Sequence, residues 1–179
     1  FLREMAPLKP GPMPPILKAF ELIGFGKVSK SGQEAIEMGL LTKRDQVVLS
    51  PELHIARAKE VVLEMAQDFH PNPPFKYVLP GEEAYLVMDY NIDGFEQAGQ
   101  ITSHSAKIAK IQAKVLTGGD KANLFTSVDE DYMLELEREA FLSLCGEEMS
   151  QQRMAHMLKK GRPLINWDTT LYNYLSNLP

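Results

Sequence analysis

The feature that most restricts this sequence is a succession of apolar residues spaced three and four apart, with no sustained alternation of period two anywhere. Such spacing gathers apolar side chains on one side of a helix, whereas a half-buried strand requires alternation. "SGQEAIEMGLL", residues 31 to 41, shows the unit in its shortest form. Ser31 and Glu34 make a capping box, each side chain serving a backbone N–H that the first helical turn leaves without a partner. Gly39 closes the helix, because a glycine there takes the left-handed conformation without a Cβ penalty, and Leu40 folds back behind it.

Similar units fill the chain. In "ILKAFELIGFG" Leu17, Phe20 and Ile23 share a face between prolines before and glycines after. Val47, Val48 and Leu49 read as briefly extended. Ser50 and Pro51 then open a longer helix as N-cap and first residue, and Ile55, Ala58, Val62, Ala66 and Phe69 predict a buried face. "HPNPPFKYVLPG" holds four prolines in twelve residues and stops that helix, which places a boundary between a segment 1–79 and a second helical segment 80–179.

Beyond the boundary Glu82 and Glu83 suit the positive end of a helix running to about Ala98. The next helix, about Thr102 to Thr117, carries Ile108, Ile111 and Val115 on one stripe and Lys107, Lys110 and Lys114 on another, read as a solvated face. Ser127 with Glu130 reads as a second capping box ahead of Met133, Leu136, Ala140, Phe141 and Leu144. Ser150 reads as the N-cap of a last helix ending at Lys160, with Gly161 as its stop. The expected fold is all-α, about six helices with at most one very short extended segment.

The chemical inventory is thin. A net charge of −5 over 179 residues lacks the basic excess that counterion release on nucleic acid requires. No run approaches the roughly 20 apolar residues of a membrane span. The lone Cys145 forms no internal disulfide, which fits a reducing, cytoplasmic setting. It falls at the C-terminal end of a helix, where the dipole raises a thiol pKa, so a core role is expected. His54, His70, His104 and His156 lie on separate segments with no metal-ligand spacing. "LTGGDK" follows a helix instead of joining a strand to one, so Gly118 and Gly119 read as a helix stop and not as a phosphate loop. Asp89 and Asp93 read as exposed acidic residues. Lys159, Lys160 and Arg162 form a basic end that suits a phosphate, although the helix dipole favours cations there too. No catalytic residue, cofactor-binding residue or metal ligand is assigned.

"AFELIGFGKVSKSGQEAIEMGLL" resembles the segment that follows the catalytic region in the crotonase, or enoyl-CoA hydratase/isomerase, family. "LTGGD", "LEREAFLSLCGE" and "QQRMAHMLKKGRPL" resemble the C-terminal end of bacterial multifunctional 3-hydroxyacyl-CoA dehydrogenases that carry a crotonase region. The resemblance runs from about residue 14 to residue 166; the tail from Trp167 to Pro179 lies outside it. It implies a parent enzyme of fatty-acid β-oxidation that uses NAD and acyl-CoA, in which this chain is the helical cover of the acyl-CoA site and part of a homo-oligomeric subunit interface. It also implies that the chain alone is inactive, since the oxyanion donors, catalytic glutamates and dinucleotide fold all lie on parts of such enzymes that the sequence does not contain. The basic end, Lys159, Lys160 and Arg162, would then meet the CoA phosphates. An opening "FLREMAPLKPGPMPP" with five prolines agrees with a piece of a longer polypeptide. The rival reading is a free-standing helical module that binds a protein or an acyl carrier. Under the first reading Leu17, Phe20, Ile23, Ile36 and Leu40 face a core outside this chain, and self-association is their expected outlet.

Overall fold

The computed structural model describes residues 13 to 166, which form seven α-helices and one small two-stranded sheet. In chain order they are α1 (Met13–Gly24), α2 (Gly32–Met38), α3 (His54–Ala66, after a 3-10 turn Pro51–Leu53), β1 (Lys76–Val78), α4 (Glu82–Gln97), α5 (Ser103–Thr117), β2 (Ser127–Asp129), α6 (Glu130–Cys145) and α7 (Glu148–Lys160). Among the described residues the fold is all-α apart from the sheet. The opening residues and the tail from Trp167 lie outside the described residues.

The core forms where α4 and α5 lie against each other. Ala84, Met88 and Ile92 recur every four residues on α4, and α5 answers with Ala106 and Ala113, two turns apart. Small side chains on α5 let the two backbones approach while Met88 and Ile92 supply the volume. Helix α1 crosses the proline-rich stretch to join this core: Ile16 is fully buried in the same cluster, with Phe20 packed against it.

The sheet ties the linker to the second half. Lys76, Tyr77 and Val78 pair antiparallel with Asp129, Val128 and Ser127, which buries Val128 and brings Leu79 into the core. Two short strands therefore stand where at most one was expected, one of them inside the proline-rich stretch. Two glycines fit this crossing. Gly81, at φ +70°, donates its N–H to Thr117 O at 2.9 Å, and a Cβ there would lie 2.1 Å from Ala122 O. Gly118, at φ +93°, caps α5, and a Cβ there would meet Ala122 Cβ at 2.4 Å.

The caps show which local readings hold. Ser31 Oγ accepts from Glu34 N–H at 3.1 Å, and Gly39 closes α2 in the left-handed conformation, its N–H directed to Ala35 and Ile36 carbonyls. The reciprocal bond shifts by one residue: Glu34 accepts from the N–H of Lys30 at 2.6 Å. Thr102 Oγ1 caps α5 by accepting from Ser105 N–H.

Three readings need correction. Ser127 belongs to β2, and the N-cap of α6 is Asp129, whose carboxylate accepts from Tyr132 N–H at 2.9 Å. Ser150 is not a cap; α7 begins two residues earlier, and Ser150 is its buried side chain. The buried face read on α3 is not buried: the helix buries no residue, and Ile55, Val62 and Phe69 are exposed.

Candidate functional site

The basic end named from sequence lies at the close of α7. Gly161 takes the left-handed conformation and donates its N–H to Met157 O at 2.8 Å, which turns the chain sharply after Lys160. Lys159, Lys160 and Arg162 are all exposed. None of the three lines the open hollow of about 410 Å³ along α4, which is bordered by Tyr90, Asn91, Asp93, Gly94, Phe95 and Gln100 among others.

The lysine stripe of α5 is an ion-pairing face. Lys107 meets Glu147 at 2.5 Å, Lys114 meets Asp120 at 3.0 Å, and Lys110 reaches both Asp93 at 2.7 Å and Asp89 at 3.0 Å. Asp89 also accepts from the Tyr85 hydroxyl at 3.3 Å. The two carboxylates read as solvated acids therefore flank an ammonium, whose hydrogen bonds to Asp93 and Asp89 push the Lys110 pKa well up. Burial, followed by the charge of Asp89, raises that of Tyr85. The group fastens α4 to α5 and leaves no unpaired acid–base pair for proton transfer.

A second polar cluster joins the start of α5 to α7. His104 is 5% exposed and its Nε2 lies 2.9 Å from Ser150 Oγ. One turn further on, Arg153 donates from Nη2 to Ser105 Oγ at 2.9 Å and Thr102 Oγ1 at 3.3 Å, and from Nε to Asn166 Oδ1 at 2.7 Å. Asn166 in turn donates to Met149 O at 3.0 Å, which binds the chain after α7 back onto that helix. Arg153 thus spends its donors on neutral oxygens, and burial lowers its pKa. Burial also lowers the pKa of His104, with Arg153 and Lys107 acting in the same direction and Glu147 opposing them. Spacing did not reveal this cluster, since its members stand 46 to 51 residues apart.

The other reactive types stay apart. His54 Nε2 lies 2.7 Å from Val48 O, His70 sits beside Asp68, and Cys145 is half-buried at the end of α6. Among the described residues no group of three or more His, Cys, Asp or Glu side chains is placed to hold a metal ion. Gly118 and Gly119 follow the carbonyl end of α5, and a Cβ added at one or the other would meet Ala122, Leu79, Tyr132 or Leu136.

What the chain presents most plainly is uncovered apolar surface. On α3 Ile55 is 85% exposed, and Val62, Leu63, Met65 and, just beyond the helix, Phe69 are exposed as well. Leu17 and Ile23 of α1 and Leu40 after α2 add to it, while Phe20 and Ile36 are half-covered. A monomeric surface rarely carries contiguous apolar patches beyond a few hundred Å², and larger ones mark contacts with other protein. No described helix is long and apolar enough to cross a membrane.

Over 157 residues, 87% of its length, the chain is 44% identical to the probable 3-hydroxyacyl-CoA dehydrogenase of Bacillus subtilis (strain 168). The match covers 20% of that protein, so the chain spans about a fifth of the length of this relative. No family model and no solved structure matches the chain.

Proposed function

We propose that this chain is the C-terminal helical part of a longer 3-hydroxyacyl-CoA dehydrogenase and that α1 to α3 lie as a cover on the rest of that polypeptide. The observation that carries the reading is the 44% identity to the Bacillus subtilis protein across 87% of this chain and only a fifth of the relative. The uncovered stripe of α3 supports it. A helix of 13 residues is marginal in water unless an apolar face is packed, and this one has an apolar face and no buried residue. A surface outside the described chain supplies what the helix lacks.

The finer reading extends the resemblance. The parent belongs to fatty-acid β-oxidation in the cytoplasm, oxidises a 3-hydroxyacyl-CoA with NAD and carries a crotonase-type hydratase region, and this chain contributes cover and subunit contacts. The catalytic groups then reside on the remaining four-fifths, and the exposed Lys159, Lys160 and Arg162 approach the CoA phosphates. The chain alone turns over neither crotonyl-CoA nor a 3-hydroxyacyl-CoA with NAD.

The test uses the Bacillus relative with its matching fifth deleted. Supplied in trans, the 179-residue chain is expected to bind the truncated protein and gain hydrogen-exchange protection across residues 54 to 69. Failure to bind, or turnover by the chain alone in a contaminant-free preparation, would overturn the proposal and favour a free-standing module.

A further inference from the structure

The attachment of α7 differs in kind from the rest of the fold. Ser150 is its buried side chain, while Met154, Met157 and Leu158 are exposed. Its links to α5 are polar: Ser150 to His104, Arg153 to Ser105 and Thr102, and Glu147, the residue that caps α7, to Lys107. With Met154, Met157 and Leu158 exposed, the docking of this helix on α5 leans on whether the polar clasp stays satisfied.

The clasp contains one imidazole, His104, whose proton affinity burial lowers from its ordinary value. We propose that His104 makes the docking of α7 on α5 acid-labile, so that protonation of its ring releases α7 together with the returning segment at Asn166 while the α4–α5 core stays folded. Protonation leaves the Nε2–H free to donate to Ser150 Oγ, so the hydrogen bond itself survives. What changes is charge. A second cation appears in a desolvated place beside Arg153, which already lacks a carboxylate partner, and near Lys107 on the same helix; of the charged groups that act on the ring, Glu147 alone favours the charged form. When α7 leaves, Arg153 goes with it and the ring regains water.

The direction follows from linkage. A ring whose proton affinity is lowered in the docked state favours that state above the ordinary value of 6.5, and the advantage is lost as pH falls below it. The ratio of released to docked helix rises by up to about tenfold for each pH unit below that value, until the docked ring also takes its proton.

Hydrogen exchange on the full chain tests the proposal. Protection factors of residues 148 to 160 should fall between about pH 7.5 and about pH 5, by at most about tenfold for each pH unit below the ordinary histidine value, with those of α4 unchanged. His104→Gln, which keeps a donor and an acceptor but does not titrate, should abolish that dependence. Should this variant not fold, NMR titration of the wild-type His104 ring decides: it should titrate below the ordinary histidine value. Equal protection of α7 at both pH values, the same pH dependence in a folded His104→Gln protein, or a His104 ring that titrates at or above the ordinary histidine value would each overturn the inference.

Discussion

Replacing Ile16 by Ala tests the central packing claim, and replacing Ile55 by Ala supplies its control. Both are isoleucines on amphipathic helices, but sequence spacing put Ile55 on a buried face and placed the face of α1 on Leu17, Phe20 and Ile23. The structure separates them: Ile16 is 0% exposed in the cluster with Met88, Ile92 and Ala113, whereas Ile55 is 85% exposed. Truncating a buried isoleucine to alanine removes its transfer free energy and leaves a cavity, about 2 to 5 kcal/mol in all. At about 2 to 4 °C per kcal/mol for a chain of this size, a loss of about 3 kcal/mol lowers the Tm by roughly 6 to 12 °C. Ile55→Ala removes almost no buried area and places the best helix former in a solvated helix, so its effect should stay within about 0.5 kcal/mol of zero.

The assay is thermal and urea unfolding followed by circular dichroism, at dilutions where light scattering shows the monomer alone. A Tm for Ile55→Ala as low as that of Ile16→Ala would mean that α3 is covered in solution. An unchanged Tm for Ile16→Ala would mean that α1 does not reach the α4–α5 core. Either result refutes the assignment of the two faces.

Gly118→Ala should cost about 2 to 5 kcal/mol in urea unfolding, the sum of about 1 to 2 for a left-handed non-glycine residue and about 1 to 3 for displacing Ala122 and Leu79. Lys110→Met should change stability by less than about 1 kcal/mol, since its carboxylate partners are partly solvated and such pairs are weak. Charge reversal at Lys159 and Lys160 in the longer enzyme should raise the KM for acyl-CoA; an unchanged KM would mean that these residues only complement the dipole of α7. Light scattering on the isolated chain at micromolar concentration should show a dimer or trimer, because the exposed faces of α1 to α3 lack their cover; a stable monomer with wild-type helicity would refute that.

What the sequence made legible was local. Helix existence and the ends set by backbone chemistry came through, as with Ser31, Gly39, Glu82, Glu83, Thr102 and Gly118, because a cap is decided by residues within one turn. The errors came where two segments meet. Lys110 read as solvated because nothing in "SAKIAKIQAK" announces that Asp89 and Asp93 stand across from it. The α3 stripe read as buried because periodicity reports what a helix is prepared to cover, not whether the covering partner is in the same chain.

Ser150 shows the difference most clearly. A serine shortly before a run of helix formers is a good N-cap by type, and by sequence alone nothing competes with that reading. In the structure the helix begins at Glu148 without a side-chain cap bond, and Ser150, now inside the first turn, turns its hydroxyl to His104. The residue type was right for either role, since a hydroxyl serves a backbone N–H and an imidazole equally well. What decided between them was a histidine 46 residues away, in the first turn of α5 and buried there against α7. That separation explains why neither residue stood out in the sequence. A lone histidine on one segment and a lone serine on another carry no shared spacing, and only docking of α7 turns them into a clasp whose strength depends on proton concentration.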